Sequence, residues 1–286
     1  MPVTSLVAAT SLRALPRKRL SRLLGRLSRL GAPERVLSAA MRAYCRAYDV
    51  DLSECEVPAQ GFDTFNAFFT RRLKSGVRVI DPDPNTIVSP ADGRVEDIGV
   101  VEPGATFVVK GRRYDVAELL GDAGAGVELE GGSFAVVYLS PRDYHRVHAP
   151  VEGAVTALRH IAGTLFPVNA FGVAHVPNLL ARNERVVVHQ RNEVHGRVTT
   201  VLVGAVGVGR ISVSFDESVM TNDGRPVGLR VYGDAPPQLD RGDELGVFHL
   251  GSTVVLFTSP GDPLDLLVSA GSRVRMGEAI ARKRSG

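Results

Sequence analysis

The chain has 286 residues, 44% of them apolar, so it can bury a sizeable core and does not have a disordered composition. Its two cysteines, Cys45 and Cys55, are too few for a disulfide framework and form no zinc-binding pattern, which is typical of ordinary thiols in a reducing compartment. Residues 1–33 hold seven basic and no acidic residues, and the rest of the chain carries a net charge of −4. A basic head on an acidic body predicts a polyanionic partner, either anionic lipid or nucleic acid.

The chain from about residue 12 to residue 48 is predicted to be helical. Arginines in the first part of this stretch lie largely off an apolar stripe, and Gly31 and Pro33 separate that part from a second helical segment running from Glu34 towards Tyr48. The stripe consists of five leucines at helical spacing: Leu20, Leu23, Leu24, Leu27 and Leu30.

A basic amphipathic helix of this kind can lie in the plane of a membrane, with leucines among the acyl chains and arginines at anionic phosphates. The alternative is an ordinary helix packed on the body. Clustered arginines without acids favour the membrane, and sparse aromatic residues argue against base stacking on single-stranded nucleic acid. No apolar run approaches the ~20 residues needed to span a bilayer. A signal peptide fits poorly, because the first basic residue follows the early apolar stretch.

Residues 62–73 combine four phenylalanines with two arginines. This segment is either a second membrane-facing patch or a helix that docks its phenylalanines into the core. From about residue 86 the pattern changes to short β-branched runs separated by turns. The predicted strands include Thr86–Val88, Thr106–Val109, Phe134–Leu139, Val186–Val188, Thr199–Val203 and Val254–Phe257.

We therefore predict an α+β fold in which a helical, basic, membrane-associating region (residues 1–75) precedes a β-rich catalytic domain (residues 76–286) of sandwich or barrel type. Only one short helix, Val116–Leu120, is expected to interrupt the strands. The end of the chain, residues 271–281, reads as a hairpin.

Three segments carry residues of chemical interest: SPADG (89–93), YLSPRDYHRVHAP (138–150) and HLGST (249–253). Their Asp92, His148 and Ser252 have the residue types of a nucleophilic triad, in which a histidine oriented by a carboxylate takes the serine proton. Alone, this constellation is a weak signal. Asp92 can equally be a turn-forming residue, His148 a core histidine and Ser252 a strand-entry serine.

The three segments, in this order, resemble the signature of the phosphatidylserine decarboxylases. The resemblance covers roughly residues 60–280. It extends to FNAFFTRRL (65–73), KGRRYDVAELLG (110–121), GTLFPVN (163–169), NLLARNERVVV (178–188) and FDESVMTN (215–222). The last segment departs from a tryptophan-containing version found in some bacterial relatives, and the stretch after Ser252 is short. These departures concern the substrate pocket and not the self-processing residues.

The resemblance implies that the chain is a proenzyme that cuts itself between Gly251 and Ser252. Ser252 attacks the carbonyl of Gly251 to form an ester, and β-elimination releases a large β chain (1–251) from a small α chain (252–286). Residue 252 then loses ammonia and becomes a pyruvoyl group. By the same resemblance, His148, polarised by Asp92, is the base that activates Ser252.

The resemblance also implies the reaction: phosphatidylserine is converted to phosphatidylethanolamine and CO2 through a Schiff base with the pyruvoyl ketone, without metal or pyridoxal phosphate. His145 is implied as the acid that returns a proton to carbon. Lys110, Arg142 and Arg146 are candidates to hold the substrate phosphate or carboxylate, or else form structural ion pairs.

The implied partners are phosphatidylserine, an anionic membrane surface and the chain's own cleaved halves, without nucleic acid and with a possible homodimer. The implied location is the cytoplasmic face of a bacterial inner membrane. Three alternatives stay open: a serine hydrolase using Asp92, His148 and Ser252, a non-catalytic membrane-binding module, and a pyruvoyl decarboxylase of a soluble amino acid. An intact Ser252 would distinguish the hydrolase.

Overall fold

The computed structural model of the protein describes residues 23–205, 210–222, 227–249, 252–261 and 264–284. The basic residues up to Arg22, Leu20 of the apolar stripe and Gly251 of the predicted cleavage site lie outside these ranges.

The helices of the first part of the chain follow the predicted punctuation. Residues 23–27 are helical, and helix α1 (Glu34–Tyr48) begins after the break at Gly31 and Pro33. It ends at Asp49, which has a left-handed backbone with φ of 56°. Although α1 is amphipathic, none of its side chains is buried. Within the described ranges, no helix is both long enough and apolar enough to cross a membrane.

The phenylalanine-rich segment forms helix α2 (Phe65–Phe69). The hydroxyl of Thr64 caps this helix by accepting a hydrogen bond from the backbone N–H of Ala67 at 3.0 Å. Phe68 and Phe69 are buried. For these two residues the structure follows the alternative in which the helix docks into the core.

The remaining described elements form a β-rich body. Its helices are α3 (Val116–Leu120), α4 (Ala123–Glu128), α5 (Ala170–His175) and α6 (Leu179–Arg182). Its strands are β1 (Thr86–Val88), β2 (Gly93–Val100), β3 (Thr106–Val109), β4 (Arg112–Asp115), β5 (Ser133–Leu139), β6 (Arg146–His148), β7 (Gly153–Ile161), β8 (Arg185–Asn192), β9 (Gly196–Gly204), β10 (Ile211–Val213), β11 (Leu229–Val231), β12 (Gln238–Leu239), β13 (Glu244–Phe248), β14 (Ser252–Thr258), β15 (Leu264–Leu266), β16 (Arg273–Val274) and β17 (Ala279–Lys283).

The largest sheet is antiparallel, with strand order β11-β7-β8-β9-β14-β5-β2-β16 and β12 also paired with β7. Smaller sheets have the orders β10-β13-β6, β1-β17-β15 and β3-β4. Along β14, Val255 and Phe257 pack in one apolar cluster and Val254 packs in another. Neighbouring side chains of a strand point to opposite faces of the sheet, so β14 is buried on both faces. It therefore lies in the centre of the body.

Two details of the prediction are wrong. Residues 271–281 do not form a hairpin, because β16 pairs with β2 while β17 pairs with β1 and β15. The N–H of Met276, between these strands, donates instead to Asp92 at 2.8 Å. The body also contains α4, α5 and α6 besides α3. Each of these helices has only four to six residues, too few for a helical period to stand out.

Candidate active site

The site is assembled at one end of the central strands of the large sheet, where β14 begins and β5 and β9 end. Ser252 is the first residue of β14 and pairs with Leu139 of β5 on one side and with Gly204 of β9 on the other. The turn that carries His145 follows β5 directly. The backbone N–H of Phe248, at the end of β13, donates to the carbonyl of His145 at 3.0 Å. The topology therefore brings the turn of His145 and the start of β14 to the same end of these strands.

The turn before His145 is held by Asp143. Its carboxylate accepts hydrogen bonds from the backbone N–H and the hydroxyl of Ser140, at 2.7 and 2.6 Å. The Asp143 carbonyl accepts from Nδ1–H of His145 at 2.7 Å. The ring of Phe69 lies 4.1 Å from the imidazole, measured between centroids. The orientation of His145 is thus set by one carbonyl and one aromatic ring.

His145 is completely buried, and its Nε2 has no hydrogen-bond partner in the described part of the chain. Burial lowers the pKa of His145 to about 3, and the nearby Arg71 guanidinium acts in the same direction. Because a carbonyl can only accept, the ring proton sits on Nδ1 and the lone pair on Nε2. In this state His145 can accept a proton at Nε2, and it must do so before it can act as an acid.

His148 is the last residue of β6. Its Nδ1–H donates to the carbonyl of Gly242 at 2.7 Å, so Nε2 carries the lone pair and accepts from the Tyr144 hydroxyl at 3.2 Å. Its backbone N–H donates to Pro90 of the SPADG segment at 2.7 Å. Burial lowers the pKa of His148, which keeps the imidazole neutral. This is the protonation state that a general base requires.

Asp92 lies in the bend between β1 and β2. Its carboxylate is engaged by Arg78, whose Nε and Nη2 donate at 3.0 and 2.5 Å, and by the N–H of Met276. Among the described hydrogen bonds, none joins Asp92 to His148. The direct contact of the predicted relay is therefore absent from this structure, because a bidentate arginine holds the carboxylate and a carbonyl takes Nδ1–H of His148. Asp92 is nevertheless among the charges that oppose the burial-driven shift in the pKa of His148.

The three cations predicted to bind substrate have different surroundings. Lys110 forms an ion pair with Glu96. Arg146 pairs with Glu244 at 2.6 Å and also donates to a carbonyl. Arg142 is 41% exposed, with its guanidinium 3.6 Å from Asp49.

Of these three, only Arg142 is among the described residues that line a polar cavity of about 500 Å³ beside Asp92, Asp143 and Tyr144. Arg71 lines the same cavity.

Several residues of this site escaped the sequence analysis. Arg78 contacts Asp92, and Tyr144 and the carbonyl of Gly242 contact His148. Arg71 and Arg273 contact Asp143, the residue whose carbonyl orients His145. Arg71 and Tyr144 lie in the segments FNAFFTRRL (65–73) and YLSPRDYHRVHAP (138–150), which resemble the family. That resemblance could have identified them as candidates. A backbone carbonyl exists at every residue, and no pattern could have selected that of Gly242.

A β-rich body that holds two buried histidines, both kept neutral by burial, has the groups of an enzyme site for proton transfer. Comparison with known proteins agrees with this class. The sequence from residue 65 to 282 matches the family described as phosphatidylserine decarboxylase. The chain therefore belongs to the phosphatidylserine decarboxylase family.

Individual relatives extend this match to nearly the full chain. A phosphatidylserine decarboxylase proenzyme of Myxococcus xanthus is 43% identical over 87% of this chain and 88% of its own length. A protein of the same name from Anaeromyxobacter sp. is 42% identical, over 95% and 96% respectively. Another from Methylococcus capsulatus is 40% identical over 94% of both chains. The family predicted from the sequence is confirmed.

Proposed function

We propose that this chain is a proenzyme that cleaves itself before Ser252 and then decarboxylates phosphatidylserine to phosphatidylethanolamine and CO2. The observation that carries the proposal is the buried His148, which burial keeps neutral and which has its lone pair on Nε2. It lies three residues after His145, in the segment that follows β5, the strand paired with the first residue of β14. Relatives named as proenzymes support a precursor that is processed. The family name supports the substrate.

His148 is the base in the proposed self-cleavage. It takes the hydroxyl proton of Ser252 while the serine oxygen bonds to the carbonyl carbon of Gly251. The peptide C–N bond breaks, the amine gains a proton, and an ester replaces the peptide. Removal of the α-proton of residue 252 then expels the Gly251 carboxylate. The dehydroalanine that remains tautomerises to an imine. Water hydrolyses this imine, releasing ammonia and leaving the pyruvoyl ketone at position 252.

His148 can accept the serine proton only after its Nε2 has lost the hydrogen bond from the Tyr144 hydroxyl. At 3.2 Å this hydrogen bond is long for an O–H donor, so little interaction is lost in the exchange. Asp92, held by Arg78, contributes charge and ties the SPADG bend to Met276 of the proposed small chain. Its proposed role in the relay is therefore electrostatic and structural.

The residues at this end of the central strands fit a pyruvoyl group at position 252. This position is held between β5 and β9, and the unpartnered Nε2 of buried His145 is a polar atom without a role in the fold. When formed, the pyruvoyl group supplies the electron sink for the charge left by departing CO2. His145 holds at Nε2 the proton that returns to the substrate carbon. A bound anionic head group would raise the pKa of His145 from its low value and so favour this protonated form.

The first helices support the proposed association with an anionic membrane. Four leucines are between 40% and 60% exposed, in a segment that also carries Arg26 and Arg29: Leu23, Leu24, Leu27 and Leu30. Helix α1 and Phe62 border an apolar groove of about 460 Å³. Exposed leucines with arginines fit the interface of an anionic bilayer better than water. The cytoplasmic face of an inner membrane and the homodimer stay predictions from the resemblance.

The proposal is tested by the intact mass of freshly purified protein under denaturing conditions. We expect two chains divided between Gly251 and Ser252, the smaller one beginning with pyruvoyl in place of serine. The Ser252→Ala variant, which has no hydroxyl to attack with, serves as the control and should stay as one chain of 30.6 kDa. A single wild-type chain with an intact Ser252 would contradict the proposal and favour the hydrolase.

Replacing Leu23 and Leu27 by serine should weaken binding to the membrane. Both side chains are 53% exposed, so the change removes apolar surface from the interface with little effect on the core. Sedimentation with vesicles containing anionic lipid measures the bound fraction, which we expect to fall about tenfold. The matched control is Val127→Ser on α4, a substitution at a 72% exposed position, which should bind like the wild type. Equal binding of all three proteins would show that the helical segment is no membrane anchor.

A further inference from the structure

The C-terminal part of the chain reaches back to the turn that orients His145. Arg273 on β16 donates from Nη2 to Oδ1 of Asp143 at 2.6 Å. The side chain of Asp143 is 5% exposed, so Arg273 neutralises a nearly buried carboxylate. The other carboxylate oxygen is occupied by Ser140. Both oxygens of Asp143 therefore have partners, and Arg273 is the cationic one.

Asp143 is also the residue whose carbonyl accepts Nδ1–H of His145. The side chain and the carbonyl belong to one residue in a tight turn, so a shift of the carboxylate moves the hydrogen bond that orients the imidazole. Arg71 donates to the same carbonyl, but at 3.5 Å, at the limit of a hydrogen bond. Direct contacts thus lead from Arg273 through Asp143 to His145.

We propose that Arg273 is a positioning residue that holds His145 in place for the decarboxylation step, acting through Asp143. This inference rests on the proposed function, because it takes Ser252 as the cleavage site and His145 as the proton carrier. Under that function Arg273 belongs to the small chain and Asp143 to the large one. The small chain then contributes both residue 252 and the support for His145.

Kinetic measurements distinguish a positioning role of Arg273 from substrate binding and from a purely structural role. Arg273 also lines the polar cavity, so it could instead contact the substrate directly, and its loss would then raise KM. If it only stabilised the fold, its loss would lower the amount of intact protein without changing the kcat of each folded site. A positioning role predicts a fall in kcat with KM unchanged, because His145 is displaced by a fraction of an ångström in an otherwise intact site.

The experiment compares Arg273→Gln with Arg282→Gln. Arg282 is a close match: it lies on the same proposed small chain, is 49% exposed against 52% for Arg273, and pairs with Asp83 at 3.2 Å. Self-cleavage is followed by intact mass, and kcat and KM are measured with phosphatidylserine in detergent micelles. Arg273→Lys, which keeps the charge but has a single donor head, is the conservative variant.

We expect Arg273→Gln to cleave itself as the wild type does, since no described hydrogen bond joins this residue to His148. Its kcat should fall about tenfold at unchanged KM, with partial recovery in Arg273→Lys and wild-type values in Arg282→Gln. An unchanged kcat, a rise in KM alone or an uncleaved Arg273→Gln chain would each overturn the inference. If wild type and Arg282→Gln also release no CO2, the proposed function itself fails and the inference with it.

Discussion

Replacing His148 by alanine is expected to leave the chain in one piece. The variant has no group to take the hydroxyl proton of Ser252, and we expect self-cleavage to slow by roughly 100-fold or more. Decarboxylation should be lost with it, because residue 252 stays a serine. The measurement is intact mass after timed incubation of freshly translated protein. His189→Ala is a suitable control, since His189 is also a buried histidine but bonds to Thr199 in the middle of the sheet.

The pH dependence of self-cleavage provides a second test of the same base. Burial lowers the pKa of His148 from the ordinary value of 6.5, so the lone pair on Nε2 persists as the pH falls through that value. Cleavage of the wild-type chain should therefore keep more than half of its full rate at pH 6.5, where an ordinary histidine would be half protonated. A cleavage rate that halves there, or a His148→Ala chain that cleaves normally, would remove His148 from the base role.

Replacing His145 by alanine should separate the two reactions. His145 donates to the Asp143 carbonyl and packs on Phe69, and its Nε2 is free among the described residues. No described hydrogen bond of its side chain reaches His148, so the His145→Ala chain should still cleave. Decarboxylation should fall by roughly 100-fold or more, since no group would return the proton to carbon.

Intact mass and CO2 release, measured on the same preparation, test this division of labour. His145→Gln is a useful companion variant, because its amide keeps most of the volume in a completely buried site but cannot carry a proton. A His145→Ala chain that stays uncleaved while His148→Ala cleaves would reverse the assignment. A cleaved His145→Gln chain with wild-type activity would show that the proton comes from elsewhere.

Local sequence patterns predicted those parts of the fold that depend on neighbours along the chain. Strands β1 and β3 and helix α3 have the bounds that their β-branched runs and helical spacing indicated. The break at Gly31 and Pro33 divides the first helical stretch as expected. The prediction failed where short elements carry no period, as in α4 to α6, and where the partner of a strand is distant in sequence, as in β16 and β17.

The same division applies to the site. The sequence by itself determined the family, which the match over residues 65–282 confirms. It also singled out Asp92, His145, His148 and Ser252 as candidates, because their segments resemble the signature of that family. Only the tertiary structure decided which groups face them. Gly242 lies 94 residues from His148, and Arg273 lies 130 residues from Asp143. Contacts over such separations follow from strand pairing and burial, which select a carbonyl or an arginine by its place in space and leave no local pattern in the sequence.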